Sequence, residues 1–238
     1  MKDKVVVYWS DQTPQNIMGE LSHFPFGEKA LKYTNLGDTQ IERCPSFKAV
    51  CENTYVVRSP KDFEVTFTDD RKGITWNFPF LYDYLINVKD CFYWRDDYSF
   101  SFFFSQMLLW CEEPLVVEQR HPLLCDGDLA HKTHLYGGEF DISKWFRPIE
   151  NAFRVTNNEE KLTVNRGDVC YFLKFKTDKE IVFKQFKHTP ELERLMLECL
   201  KTRNVSKSFH SSIANYYNLF ASRNMNKRIS KAVKEALL

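Results

Sequence analysis

A mainly β fold, sandwich or barrel-like, with a C-terminal α-helical segment and thus α+β overall, is what this chain predicts. Three observations lead there. Aromatic residues are abundant, with 21 Phe, 11 Tyr and 5 Trp among 238 residues, and they gather in short runs, which favours strands. Turn-forming clusters separate those runs at short intervals. After Pro190 the apolar spacing changes to three and four and the charge turns basic. The chain therefore divides into a β-rich domain over residues 1–188 and a basic helical segment over 189–238, long enough together to bury a full hydrophobic core.

Val5 to Trp9 is an apolar run of β-formers closed by a polar cluster, and reads as a buried first strand. A turn-rich stretch with Pro14, Gly19, Pro25, Gly27 and Gly37 follows, and Pro45 to Cys51 has the length of one or two helical turns. Tyr55 to Arg58, Phe63 to Phe67 and Gly73 to Phe78 read as three strands joined by antiparallel hairpins. Phe63 to Phe67 alternates with period two, and Asp69 to Gly73 is turn chemistry. Phe100 to Phe104, Leu108 to Cys111 and Leu115 to Glu118 continue the pattern before a loop through Pro122 and Asp126-Gly127-Asp128. Two more strands, Asp168 to Phe175 and Glu180 to Phe186, flank a turn at Thr177 to Lys179.

Thr189-Pro190-Glu191 is a helix start, with Thr as N-cap, Pro in the first position and acids Glu191 and Glu193 in the first turn. Leu192, Leu195, Met196 and Cys199 recur at helical spacing, and Ile213 to Ala221 and Ile229 to Leu238 predict further helices. From Lys201 onward eight Lys or Arg face one acid, Glu235, a net +7. Taking that from the whole-chain +1 leaves −6 for the remainder. Within the last helix Ile229, Ala232, Val233, Ala236 and Leu237 line one side, predicted to pack on the β domain or a second subunit. Lys227, Arg228, Lys231 and Lys234 lie elsewhere, a basic side left free for a polyanion. On this reading, removing Asn226 to Leu238 leaves the β domain folded.

Seven cysteines, an odd number scattered through a long chain without any Cys-x-x-Cys pair, suit reduced thiols in the cytoplasm and exclude a zinc ribbon or a thioredoxin-type centre. The N-terminal apolar stretch is too short for a signal-peptide core. Phe100 to Cys111 is too short and too interrupted for a membrane helix, which needs about 20 residues.

No histidine begins His-x-Asp or His-x-Glu, and His-Glu-x-x-His is absent, so the usual metal pairs are lacking. His131 and His134 either share a helix face, with Asp126, Asp128 or Asp141 as a third ligand, or are two solvated loop residues. No metal and no cofactor are expected. Gly-x-x-x-x-Gly-Lys, Gly-x-Gly-x-x-Gly and Gly-x-Ser-x-Gly are absent too, leaving phosphoryl transfer, dinucleotide chemistry and acyl transfer without support. Tyr136-Gly137-Gly138-Glu139-Phe140-Asp141 sets the only adjacent glycines beside an acid, followed by Lys144, Trp145 and Arg147, and Arg166-Gly167-Asp168 leads into a strand. Paired glycines allow positive φ or close approach to a ligand, or form a plain tight turn.

Arg43-Cys44-Pro45-Ser46-Phe47, Tyr55-Val56-Val57, Asp62-Phe63-Glu64-Val65 and the strand opened by Arg166-Gly167-Asp168 together resemble an uncharacterised family of phage and bacterial proteins over Ile41 to His188. That pattern is similar in turn to the dUTPase-like β-clip fold, a distorted barrel of short strands. The second resemblance implies Gly138 as the site glycine and Asp141 as the acid that orients water. Lys144 stands where a stacking Tyr belongs, with Trp145 one place off. Val169 and Phe172 replace an Arg and a Gln, the Arg-Ser-Ser phosphate motif is missing, and basic helices replace the glycine-rich C-terminal arm. Lost catalysis is compatible with such a likeness.

Three functions follow as expectations. One is a non-catalytic binding or accessory protein of phage type, host-cytoplasmic, with an unknown protein or polyanion as partner, able to form a homo-oligomer and independent of membranes. Another is a nucleotide-directed hydrolase in which Asp141 activates water, Lys144, Arg147 or Arg166 bind phosphate, Gly137, Gly138 and Trp145 shape the site, and Mg²⁺ assists. The last is nucleic-acid binding through Lys227, Arg228, Lys231 and Lys234.

Overall fold

The computed structural model describes residues 3–11, 26–34, 36, 40–67, 74–77, 92–95, 99–102, 107–156, 161–205 and 213–238. The sequence-predicted turns at Pro14, Gly19, Pro25, Gly37 and Asp69 to Gly73, together with Phe103, Phe104 and Cys91, lie outside those residues.

In chain order the strands are β1 (Lys4–Asp11), β2 (Thr54–Arg58), β3 (Phe63–Phe67), β4 (Ile74–Asn77), β5 (Phe92–Arg95), β6 (Ser99–Phe102), β7 (Met107–Trp110) and β8 (Val116–Arg120). There follow β9 (Thr133–Leu135), β10 (Glu139–Asp141), β11 (Pro148–Ile149), β12 (Phe153–Val155), β13 (Lys161–Val164), β14 (Val169–Phe175) and β15 (Glu180–Gln185). The helices are α1 (Gln40–Arg43), α2 (Pro45–Cys51), α3 (Asp128–His131), α4 (Pro190–Val205), α5 (Ile213–Ser222) and α6 (Met225–Glu235), with a 3-10 turn at Ala30–Tyr33.

The protein is a strand-rich α+β fold in which the strands form four open sheets and helices close the chain. Their orders are β11-β7-β1-β15, β10-β8-β14-β2, β5-β6-β12-β9 and β13-β3-β4. Most pairs are antiparallel. However, β1 and β15, from opposite ends of the β-rich region, pair in parallel, with Val6 opposite Val182.

The first of these sheets is the central layer, and the side-chain period of a strand explains how. Val5, Val7 and Trp9 of β1, with Met107 and Leu109 of β7, face a core shared with the other three sheets. Tyr8, Leu108 and Trp110 point the other way, into a second core with Phe146, Phe186 and α4 to α6. A strand buried on both faces reads as an uninterrupted apolar run, as Val5 to Trp9 does.

The C-terminal helices form as their spacing predicts. The Thr189 hydroxyl accepts the Leu192 N–H at 3.3 Å and the Thr189 carbonyl accepts the Glu193 N–H at 2.9 Å, so α4 is capped. Leu192, Leu195, Met196 and Cys199 are buried against the central sheet, as are Ile229, Ala232, Val233 and Ala236 of the last helix. Leu237 departs from the predicted stripe. It is exposed past the end of α6 and forms a β-bridge with Phe186, with the Leu238 N–H donating to Gln185 O at 3.1 Å. No described helix is long and apolar enough to cross a membrane.

Two short connections join strands that do not pair with each other, and the first departs from the hairpins the sequence predicts. β3 and β4 do form one, Val65 opposite Trp76, but β2 leaves for another sheet, where Val56 pairs with Phe172 of β14. Likewise β14 and β15, separated by only the Thr177 turn, belong to different sheets. In both cases adjacent strands each bury apolar faces against distant strands, and tertiary burial overrides the short connection.

Candidate functional site

The predicted site residues Gly137 to Arg147 converge where β10 meets the C-terminal helices. Neither Gly137 nor Gly138 has the positive φ the sequence allowed; the described glycines with positive φ are Gly27, Gly127 and Gly167. Close approach is what Gly137 serves, toward the protein's own backbone. A Cβ there would lie 2.3 Å from the Gln119 carbonyl oxygen, while the Gly138 carbonyl accepts the Gln119 N–H at 2.8 Å. These glycines dock β10 on β8, opposite Glu118 and Val117.

Asp141 ends β10 and folds the following turn. Its Oδ1 accepts the Ser143 N–H at 3.1 Å and the Ser143 hydroxyl at 2.7 Å, and its Oδ2 lies 2.9 Å from the Lys144 ammonium. Burial pushes the carboxyl pKa up, but the Ser143 hydrogen bonds and Lys144 outweigh it and hold the group below its ordinary value. The Asp141 N–H donates to the Tyr217 hydroxyl at 2.9 Å, tying the turn to α5. Lys144 also sits over the Tyr217 ring, 5.6 Å from its centroid.

Trp145 lies between Phe140, tilted at a centroid distance of 4.8 Å, and Tyr216, edge-on at 5.4 Å. Arg147 is 3% exposed, its guanidinium 3.6 Å from the Trp145 centroid and 5.1 Å from that of Tyr216. A desolvated cation on aromatic faces is worth about 2 kcal/mol. Sequence reasoning missed Tyr216 and Tyr217. The signal was there: Tyr216 and Phe220, four apart on an amphipathic helix, mark its buried side, and Tyr217 flanks it.

Arg166 is elsewhere. It lies in the turn between β13 and β14, its N–H donating to Asp62 Oδ1 at 2.6 Å and its Nε to Pro60 O at 3.2 Å. The histidine pair is not a metal site on one helix face: His131 ends α3, whereas His134 lies in β9. Asp128 accepts the Thr163 N–H at 2.7 Å and pairs with Lys132 at 3.1 Å. Among the described residues no group of three His, Cys, Asp or Glu is arranged to hold a metal, and the six described cysteines are free thiols.

The basic side of α6 is only partly free. Arg228 makes a bidentate pair with Glu198 of α4, at 2.8 and 3.0 Å, and Lys234 meets Glu112 at 2.8 Å. Lys231 faces Glu235 at 3.9 Å with both groups well exposed, and Lys227 is exposed. Two of the four predicted contacts are therefore internal struts between α6 and its neighbours.

Comparisons with protein-family models, with curated proteins and with solved structures give no match.

Proposed function

We propose that this is a non-catalytic binding or accessory protein of phage type, whose β-rich body carries a basic C-terminal surface toward an acidic partner protein. One observation carries the reading. Both oxygens of the Asp141 carboxylate are engaged by Ser143 and Lys144 within its own turn, and the neighbouring Arg147 is enclosed by Trp145 and Tyr216 of α5, so the residues a hydrolase would use make structural contacts instead. A carboxylate stabilised in its charged form is a weak proton acceptor, the reverse of what a general base near neutral pH requires. The engagement of Arg228 and Lys234 by Glu198 and Glu112 reduces the charge on offer to a phosphate backbone. A protein surface with a small acidic patch suits what is left.

A turnover assay over a panel of nucleotides, with and without Mg²⁺, tests the first half: no hydrolysis is expected, and turnover abolished by Asp141→Asn would restore the hydrolase reading. Titration of a fluorescent oligonucleotide against salt tests the second half. Weak binding with a shallow slope is expected. Loss of affinity by about 10³-fold or more between 50 and 200 mM salt is the mark of six or more phosphate contacts and would favour nucleic acid.

A further inference from the structure

One histidine closes a corner of the molecule that the candidate site does not use. His121 directly follows β8. Its Nε2 lies 3.0 Å from the Ala130 carbonyl oxygen in α3, and its Nδ1 lies 3.3 Å from the Leu135 backbone nitrogen in β9. A carbonyl can only accept and a peptide N–H can only donate. The ring must therefore be neutral, with its proton on Nε2 and a bare Nδ1 receiving Leu135. A second proton would set an N–H against an N–H inside a half-buried corner. The surrounding charges do not favour it. His134 of β9 has its ring centroid 6.0 Å away, and His131 of α3 adds a second like charge when protonated. The other ionic groups nearby are committed: Arg120 of β8 to Glu118 at 2.7 Å, and Lys132 to Asp128 at the end of α3. Asp126 lies in the preceding loop, and Arg154 of β12 pairs in register with His134.

We propose that His121 is a proton-operated clasp: the neutral ring ties the end of β8 to α3 and β9, and a second ring proton releases the Leu135 amide and loosens the corner from 121 to 135. That corner carries Leu123 and Leu124, 66% and 49% exposed, with the Leu123 N–H bonded to the His121 carbonyl at 2.8 Å. Leu124 has φ +63, a left-handed conformation that a branched side chain holds only under the constraint of its surroundings. Release of the clasp removes one such constraint, so acid changes how the exposed leucine pair is presented.

The sign follows from linkage. The folded ring resists a proton that the opened ring accepts with an ordinary pKa of about 6.5, so closure is fully favoured above that pH and weakens as the pH falls through it. The test is amide exchange at Leu135 in the full chain at pH 7.5, 6.5 and 5.5, corrected for the intrinsic pH dependence of exchange. Protection in the parent protein should fall by up to roughly tenfold across this range. It should be flat in His121→Gln, and fall as in the parent in His134→Gln. Protection that is independent of pH in the parent, that falls equally in His121→Gln, or that becomes flat in His134→Gln would overturn the proposal. Long-range ¹H–¹⁵N spectra of the parent supply a check that needs no variant. The Nε2–H tautomer is expected, with ring and Leu135 amide titrating at one midpoint; the Nδ1–H tautomer or separate midpoints would overturn it.

Discussion

Ile229→Ala tests whether the C-terminal helices and the β-rich body are one cooperative structure. Ile229 is fully buried in the core formed by Tyr8, Leu108, Trp110, Phe146 and Phe186 with α4 and α5. Truncation removes three carbons, worth about 2.4 kcal/mol of transfer free energy at ~0.8 kcal/mol each. The vacated space lies between a helix and a sheet pinned by other contacts, among them the Trp110 indole N–H to the Ser230 hydroxyl at 3.2 Å. It can collapse only in part, and the added cavity term brings the expected loss to about 3–4 kcal/mol. Urea unfolding followed by tryptophan fluorescence and by far-ultraviolet circular dichroism should give coincident transitions, both moved to lower denaturant. A loss under about 1 kcal/mol, or a helical transition separating from an unmoved β transition, would refute the packing described here. The same reasoning predicts, against the expectation from sequence, that removing Asn226 to Leu238 destabilises the β body: that deletion strips Ile229 and Val233 from the apolar face of the central sheet and removes the Ala236 carbonyl that accepts the Lys187 N–H at 2.8 Å.

Gly137→Ala should destabilise by about 1–3 kcal/mol, because the new Cβ meets a backbone oxygen that cannot rotate away. Gly138→Ala, which meets only the Phe140 ring at 3.0 Å, should cost less, and thermal unfolding of the two variants checks the order. Asp141, with its folded pKa lowered, contributes stability that is present above its unfolded pKa of about 4 and lost as pH falls through the folded value. The stability gap between the parent and Asp141→Asn should therefore shrink in acid, and a gap constant down to pH 2 would contradict the ion pairing. Among the described thiols, Cys44 should be alkylated first by iodoacetamide. It is exposed, and the backbone N–H groups of Phe47 and Ser46 at the start of α2 lower its pKa, whereas burial pushes Cys111 and Cys199 up to about 11 and Cys125 up to about 12. Peptide mapping after a short pulse reads the order directly.

Much of the local structure was legible from residue order. The runs Val5 to Trp9, Tyr55 to Arg58 and Phe63 to Phe67 are strands, Pro45 to Cys51 is a helix, and Thr189 caps α4. Period, β-branching and cap chemistry act between residues a few places apart, so they survive in the sequence alone. Pairing does not. That Val6 aligns in parallel with Val182, or that β2 abandons β3 for β14, depends on which apolar faces can be covered together across more than a hundred residues. The site divides along the same line. Glycines beside an acid and an aromatic cluster were visible as a concentration of residues, and their use was not. Gly137 accommodates a carbonyl of β8, Asp141 caps its own turn, and Arg147 is sandwiched with a tyrosine 69 positions further along the chain. Charge obeys the same rule: composition determined that the tail is basic, while only the folding of α6 onto α4 and the central sheet decided that Glu198 and Glu112 engage Arg228 and Lys234. Neutralisation of that kind depends on distance in space, which sequence separation does not encode.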